Sequence, residues 1–259
     1  MLFRIFLLLC SLALTGSVLA ARLISLAPSI TETLAALGAC PWVIAAVGGE
    51  GVPQFCPKAA VLLAADGMWS TEALKRYAPD RVLIWTEGTG QSLKGRLETS
   101  GMAVASFSIE NLQDIPAMTA ILANFSGTRS NLPAVDRYWA QQIAKVKEAY
   151  QWVPWMPVFY EVWPAPLMTL KQHHYIADAL ALCHLRLLAP QTSLESPTVS
   201  LEWVLQQQPG RVVLPLGLPL QPDWRRAGVQ VRQVDTAELE RPSPHMLDHL
   251  EQICRTIRN

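Results

Sequence analysis

Charged residues are scarce in this chain of 259 residues: they make up 16% of it, and the acidic and basic groups cancel. The zero net charge argues against nucleic-acid binding, which needs a basic face to replace phosphate counterions. It also argues against a polybasic protein held at a membrane surface. Apolar residues make up 51%, which excludes a disordered chain and is enough for a large buried core in one or two domains.

Several motifs of catalytic and nucleotide-binding sites are missing. No Gly-x-Gly-x-x-Gly follows a strand, and neither a Gly-Lys-Ser/Thr phosphate loop nor a Gly-x-Ser-x-Gly nucleophile elbow occurs. The chain has no Cys-x-x-Cys and no Cys/His pair at zinc spacing, which argues against a structural zinc site. His173 and His174 are adjacent, and on a helix they would point about 100° apart and could not chelate one ion. We therefore expect no metal site.

Two carboxylates remain as candidates for acid–base chemistry. Glu72 and Glu202 are a possible acid/base pair of an exported hydrolase. The simpler interpretation is that each lies in the first turn of a helix that begins at a serine, where the helix dipole favours a carboxylate. We favour the second interpretation and do not expect an enzyme.

The N-terminus has the pattern of a secretory signal. Arg4 supplies the positive charge, residues 5–14 are an apolar run of about ten, and Val18-Leu19-Ala20 is a small-x-small cleavage site. The apolar run is too short to span a bilayer, and the bulky Leu9 argues against a lipoprotein signal at Cys10. We expect residues 1–20 to be removed and the exported chain to be soluble.

Four cysteines remain after this expected cleavage: Cys40, Cys56, Cys183 and Cys254. An even number of cysteines in an oxidising compartment predicts two disulfides. The count alone leaves three connectivities open.

Short apolar runs alternate with helical patterns along the first half. Strands are predicted at residues 22–27, 43–47, 81–85 and 103–107, with helices between them, which is typical of βαβ units on a parallel sheet. Ser29, with Glu32 three residues on, predicts a capping box at the first helix. In the second half a strand at 158–162 and a helix at 175–183 resume this alternation.

Between the halves lies one long helical pattern, at residues 131–151. Apolar side chains recur there at helical spacing, and Pro133 and Pro154 suit its first turn and its end. It is either an ordinary packed helix or a strut connecting two units. An internal similarity favours two units, since Ser70, Glu72, Pro79 and Arg81 recur 130 residues later as Ser200, Glu202, Pro209 and Arg211.

Residues 22–32, Arg-Leu-Ile-Ser-Leu-Ala-Pro-Ser-Ile-Thr-Glu, resemble the opening of the helical-backbone (class III) substrate-binding proteins of ABC importers. Residues 161–169, 197–202 and 241–248, together with Cys254, are similar to the vitamin B12-binding periplasmic members of that group. The resemblance implies two Rossmann-like α/β lobes joined by a single backbone helix, with a ligand cleft between them. The expected parts are a signal peptide (1–20), an N-terminal lobe (21–128), the backbone helix (129–153) and a C-terminal lobe (154–259).

The function that this resemblance implies is capture of vitamin B12 in the periplasm and delivery to the permease dimer of an ABC importer. Cobalamin would be the transported ligand, with no cofactor of the protein's own, no nucleic acid as partner and a monomer when free. The alternatives are haem, with His174 or Tyr175 as its ligand, and a ferric siderophore, which would want several arginines in the cleft. Arg241 is the one clear candidate for such an arginine.

The resemblance also implies roles for individual residues. The expected ligand contacts are Glu50, Trp85, Trp163, Ala237, Glu238, Leu239, Glu240 and Arg241. Glu72 and Glu202 match lobe-tip carboxylates that dock onto arginines of the permease. Cys183 and Cys254 match a family disulfide, and we expect Cys40–Cys56 beside it, because this pairing leaves the two lobes untied. The chain departs from the family where Leu170-Lys171 replaces usual glycines and where Ser196 replaces an expected cleft tryptophan.

Overall fold

The computed structural model describes residues 21–49, 54–64, 69–86 and 90–259. The predicted signal at 1–20 and the predicted ligand contact Glu50 lie outside these ranges. None of the described helices has the length and apolar character that crossing a membrane requires.

The N-terminal lobe is built on a parallel five-stranded sheet. Its strands are β1 (Leu23–Ser25), β2 (Val43–Val47), β3 (Ala60–Leu62), β4 (Arg81–Trp85) and β5 (Val104–Phe107), in the order β3-β2-β1-β4-β5. Both faces are covered, because neighbouring residues such as Leu23 and Ile24 enter different apolar clusters. The covering helices are α1 (Pro28–Ala36), α2 (Thr71–Lys75), α3 (Gly90–Thr99) and α4 (Asp114–Phe125).

The predicted capping box in α1 is wrong. The helix begins at Pro28, its N-cap is Ala27, and no side chain caps it. Proline suits the first helical position, and this start places Ser29 and Glu32 inside the helix, where both are buried. The helix ends at Ala36, and Gly38 follows its C-cap with a φ of +68°, the left-handed conformation that favours glycine.

The C-terminal lobe repeats this plan with four parallel strands. These are β6 (Met156–Tyr160), β9 (Leu185–Leu187), β10 (Arg211–Pro215) and β11 (Val231–Val234), in the order β11-β10-β6-β9. A short antiparallel hairpin, β7 (Trp163–Pro164) and β8 (Leu167–Met168), follows β6. The helices of this lobe are α6 (Tyr175–Leu182), α7 (Leu201–Gln206), α8 (Pro222–Arg226) and α9 (Leu250–Arg258).

The long central helix, α5 (Leu132–Tyr150), is both a connector and a packed element. Its 19 residues span about 28 Å. It contacts α4 of the first lobe and α6 and α9 of the second, through a buried stripe that includes Val135, Trp139 and Val146. Tyr150 at its end donates a hydrogen bond to the Glu251 carbonyl, at 3.1 Å.

The internal similarity corresponds to a structural repeat. The units α2–β4 and α7–β10 occupy matching places, and β4 and β10 each lie between two parallel neighbours. Ser70 and Ser200 cap their helices by accepting hydrogen bonds from Ala73 N and Trp203 N, at 3.2 and 3.1 Å.

Both predicted disulfides, Cys40–Cys56 and Cys183–Cys254, are present. Each closes within one lobe, so neither restrains one lobe against the other. The second ties α9 to the end of α6, where both of its cysteines are fully buried.

Candidate ligand-binding cleft

A cavity of about 420 Å³ opens between the lobes, and we call it the main cavity. The N-terminal lobe contributes Trp85 at the end of β4 and the segment that follows β1. Carboxyl ends of parallel strands are where ligands bind in such sheets. The lining residues are Leu26, Ala27, Pro28, Ser29, Trp85, Ile109, His174, Tyr175, Glu195, Glu240, Arg241 and Pro242.

A second cavity of about 390 Å³ adjoins it on the side of the C-terminal lobe. The two share His174, Tyr175 and Glu240 as lining residues. Trp163 and Leu216 are exposed at the rim of this side cavity, at 52% and 59% of their surfaces. The cleft therefore has room and apolar area for a ligand larger than either cavity alone would hold.

An ion pair between Arg241 and Glu32 joins the two lobes at the cleft. Arg241 Nε donates to Glu32 Oε2 at 3.3 Å, and its Nη1 donates to the Ala237 carbonyl at 2.6 Å. Burial raises the pKa of the Glu32 carboxyl, against the opposing effect of the Arg241 guanidinium. Arg241 lies at a bend that follows the turn at 237–240, and these two bonds orient its side chain.

Glu240 is a hydrogen-bonding centre in the wall that the two cavities share. Its Oε1 accepts from the Tyr160 hydroxyl at 2.8 Å and from Thr236 Oγ1 at 2.7 Å. The Tyr175 hydroxyl donates to the backbone carbonyl of Glu240 at 3.2 Å. Burial, together with the Glu240 carboxylate, raises the pKa of Tyr160 well above its usual value, so this tyrosine stays a neutral donor.

A second group of ionisable side chains surrounds Lys171 of the C-terminal lobe. Lys171 Nζ is 2.6 Å from Glu195 Oε1 and 4.0 Å from Glu110 Oε1 of the other lobe. Burial, with the Lys171 ammonium beside it, lowers the pKa of His174 to about 4. His174 Nδ1 accepts from Ile176 N at 3.1 Å, so in the neutral ring Nε2 carries the proton.

The charges of the cleft are thus largely committed to one another. The two cleft cations described above, Arg241 and Lys171, each have a carboxylate oxygen within 3.3 Å. The carboxyl groups of Glu32, Glu195 and Glu240 outnumber them. This arrangement suits a ligand that brings neutral hydrogen-bonding groups better than one that brings several negative charges.

The structure brings together three of the residues expected to contact ligand: Trp85, Glu240 and Arg241 line the main cavity from opposite lobes. Trp163 lines the side cavity. Their contact with a ligand stays a prediction.

Three other residues that were expected to contact ligand lie elsewhere. Leu239 is fully buried in the core, behind the cleft wall, because its side chain packs among apolar neighbours. Ala237 and Glu238 line a separate hollow, where Glu238 pairs with His249.

The two carboxylates expected to dock onto the permease, Glu72 and Glu202, are exposed at the starts of α2 and α7.

Several lining residues were not expected from the sequence. The segment Leu26, Ala27, Pro28 and Ser29 lies within the stretch that carries the resemblance, so that stretch could have indicated it. Glu195 and Ile109 have no local signal, because their place in the cleft depends on how the lobes meet. His174, which the sequence indicated only as a candidate haem ligand, is buried and lines both cavities.

Two parallel α/β lobes, one long helix between them and a cleft at the strand ends define the fold of the class III substrate-binding proteins of ABC importers, as the resemblance predicted. No family model matches the chain. It is 27% identical over 256 residues to the vitamin B12-binding protein of Pectobacterium carotovorum, covering 96% of this chain and 91% of that one. Identity to the vitamin B12-binding protein of Vibrio cholerae is 25% over 251 residues, covering 92% and 90%.

Solved structures show the same fold. The periplasmic vitamin B12-binding protein of Vibrio cholerae matches with a TM-score of 0.76 and 23% identity, covering 92% of this chain and 97% of that one. A periplasmic haem-binding protein from Pseudomonas aeruginosa matches with a TM-score of 0.71 and 17% identity, covering 92% and 93%. One architecture therefore holds different ligands, and the side chains of the cleft must distinguish them.

Proposed function

We propose that the protein is a periplasmic substrate-binding protein that captures vitamin B12 or a related corrinoid and delivers it to an ABC importer. The observation that carries the proposal is the cleft itself, with apolar walls, paired cations and an excess of hydrogen-bond acceptors. Corrinoids are large, nearly neutral overall and rich in peripheral amides, which donate to such acceptors. Relatives that match nearly the whole chain carry the name vitamin B12-binding protein.

Haem is the second candidate, because haem-binding proteins share the fold. Its iron would want a histidine or tyrosine ligand, and its propionates would want free cations. His174 is committed as the cap of α6, and the Tyr175 hydroxyl donates to the Glu240 carbonyl. Since Arg241 is paired with Glu32, the cleft favours a corrinoid over haem or an anionic ferric siderophore.

Glu72 and Glu202 serve docking to the permease in this proposal. Each is exposed in the first turn of a matching helix, one per lobe, which suits a two-fold symmetric partner. Backbone and Ser200 hydrogen bonds lower the pKa of Glu202, so it remains a carboxylate available to arginines. Among the described residues, neither of the two lines the main or the side cavity, which argues against the hydrolase alternative.

The remaining parts of the proposal concern processing and assembly. Residues 1–20 would be the signal, 21–128 the first lobe, 129–153 the backbone helix and 154–259 the second lobe. The protein would act in the periplasm as a monomer until it meets the permease dimer. It would bind its cargo without catalysing a reaction.

Isothermal titration calorimetry of the purified protein against cyanocobalamin, haemin and a ferric siderophore tests the proposal. We expect one cyanocobalamin per chain, bound more tightly than the other two. Tighter binding of haemin would make haem the ligand. No heat with any corrinoid would overturn the proposed function.

A further inference from the structure

The segment that carries Glu195 is held in place by its backbone. Lys171 N donates to the Glu195 carbonyl at 3.1 Å, Thr169 N to Pro197 O at 3.1 Å and Val199 N to Leu167 O at 2.9 Å. These bonds join the segment to the chain around β8 in a short antiparallel ladder. The backbone that carries Glu195 is therefore fixed beside the cleft before any ligand arrives.

The Lys171–Glu195 pair has a buried end and a cleft end. The Lys171 side chain is 9% exposed, whereas that of Glu195 is 42% exposed and lines the main cavity. Lys171 Nζ binds Glu195 Oε1 from behind, at 2.6 Å. Lys171 thereby orients the Glu195 carboxylate, and this carboxylate is the group that faces a ligand in the main cavity.

The lysine does not leave this wall neutral. Glu110 Oε1 lies 4.0 Å from the same ammonium, so two carboxylates share one cation. The neighbouring His174 is neutral at pH 7, because its pKa is lowered to about 4. The wall next to Glu195 keeps an excess of negative charge.

We propose that Glu195, oriented by Lys171, determines specificity by accepting hydrogen bonds from primary amides at the ligand edge and disfavouring carboxylates there. The Glu195 carboxylate can only accept hydrogen bonds, so an amide NH₂ of the ligand can donate to it. A carboxylate of the ligand at the same place would be repelled by it, because the cleft is partly desolvated. This inference rests on the proposed corrinoid function and names the ligand groups that the wall selects. It predicts discrimination between corrinoids that differ in one peripheral amide.

The test compares cyanocobalamin with its monocarboxylic acids, in which one peripheral amide is hydrolysed, by isothermal titration calorimetry. The wild type should bind cyanocobalamin at least about tenfold more tightly than one or more of these isomers. The reason is that the new ligand carboxylate meets the like charge of Glu195. In Glu195→Gln the preference for that isomer should fall to about threefold or less, because glutamine both donates and accepts. Glu195→Asp keeps the charge and should keep the preference.

Glu110→Gln is the matched control. It removes a carboxylate from the same lysine, but Glu110 is 66% exposed and does not appear among the described lining residues of the cleft. Glu195 and its 2.6 Å contact with Lys171 stay in place, so the preference should fall far less than in Glu195→Gln. Thermal unfolding of each variant shows whether it is folded.

Two results overturn the inference alone: an unchanged preference in Glu195→Gln, or an equal loss of preference in Glu110→Gln. A wild type that binds every isomer as tightly as cyanocobalamin also overturns it. A wild type that binds no corrinoid overturns the proposed function and this inference with it.

Discussion

Replacing Arg241 with alanine removes the partner of a buried carboxylate on the other lobe. The pair is 3.3 Å apart, and the side chains of Arg241 and Glu32 are 19% and 9% exposed. At an effective dielectric constant near 20, two unit charges at this distance attract by about 5 kcal/mol. The raised pKa of Glu32 shows that desolvation opposes this attraction strongly, so the net stabilisation by the intact pair is small.

Breaking the pair on one side is a larger perturbation than removing it entirely. Arg241→Ala leaves Glu32 buried without its cation, and we expect a loss of about 3 kcal/mol in the free energy of unfolding at pH 7. Adding Glu32→Gln to this variant should restore about 2 kcal/mol, because the neutral amide carries no uncompensated charge. Urea unfolding followed by tryptophan fluorescence measures both changes.

The pH dependence of this loss has a defined sign. Without Arg241 the pKa of Glu32 in the folded chain rises further, since the guanidinium lowers it in the wild type. A carboxyl whose pKa is raised in the folded chain carries no penalty below its unfolded pKa. The penalty grows as pH rises from the unfolded pKa to the folded pKa and is constant above it. Arg241→Ala should therefore lie closest to the wild type in acid and fall behind towards neutral pH.

Two outcomes would refute this reasoning. One is a gap between Arg241→Ala and the wild type that stays constant from acid to neutral pH. The other is a double variant no more stable than Arg241→Ala. Either would mean that Glu32 is not held as a charged partner of Arg241 in the folded protein.

Three further predictions concern the disulfides, the cleft and docking. Removing Cys183–Cys254, whose cysteines are 71 residues apart, should destabilise the protein by about 4 kcal/mol, whereas removing Cys40–Cys56, 16 residues apart, should cost about 3 kcal/mol. Urea unfolding of the two double-alanine variants measures both losses, and the reverse order would contradict this prediction. Trp85→Ala should weaken cyanocobalamin binding about 30-fold in calorimetry, whereas the control Trp152→Ala, at a residue that is 88% exposed, should bind like the wild type. Equal affinities of the two variants would show that Trp85 does not contact the ligand. Glu72→Ala combined with Glu202→Ala should abolish corrinoid uptake through the permease while calorimetry shows unchanged affinity, and lost affinity with intact docking would place these carboxylates in the cleft instead.

Much of the fold could be predicted from the sequence because its signals are local. Short apolar runs between turns marked β1, β2, β4 and β6, and the helical spacing at 131–151 marked α5 to within one residue at each end. The recurrence of Ser70 and Glu72 as Ser200 and Glu202 marked matching helix starts, which the structure shows as capped first turns. The short strands β3 and β9 gave no such signal, because three residues are too few to establish a period.

The cleft depended on the tertiary structure. Glu32 has the spacing of a capping residue, yet it pairs with Arg241, 209 residues away, because Pro28 begins the helix earlier and the second lobe brings a cation to its face. Leu239 belongs to a stretch expected to contact ligand, but packing turns it into the core, while Glu195 comes to the cavity on a segment paired with β8. Periods and caps are properties of neighbouring residues, so the sequence alone determined the lobes and their helix. The charge pattern of the cleft arises where the two lobes meet, and only the tertiary structure decides which side chains desolvate and pair there.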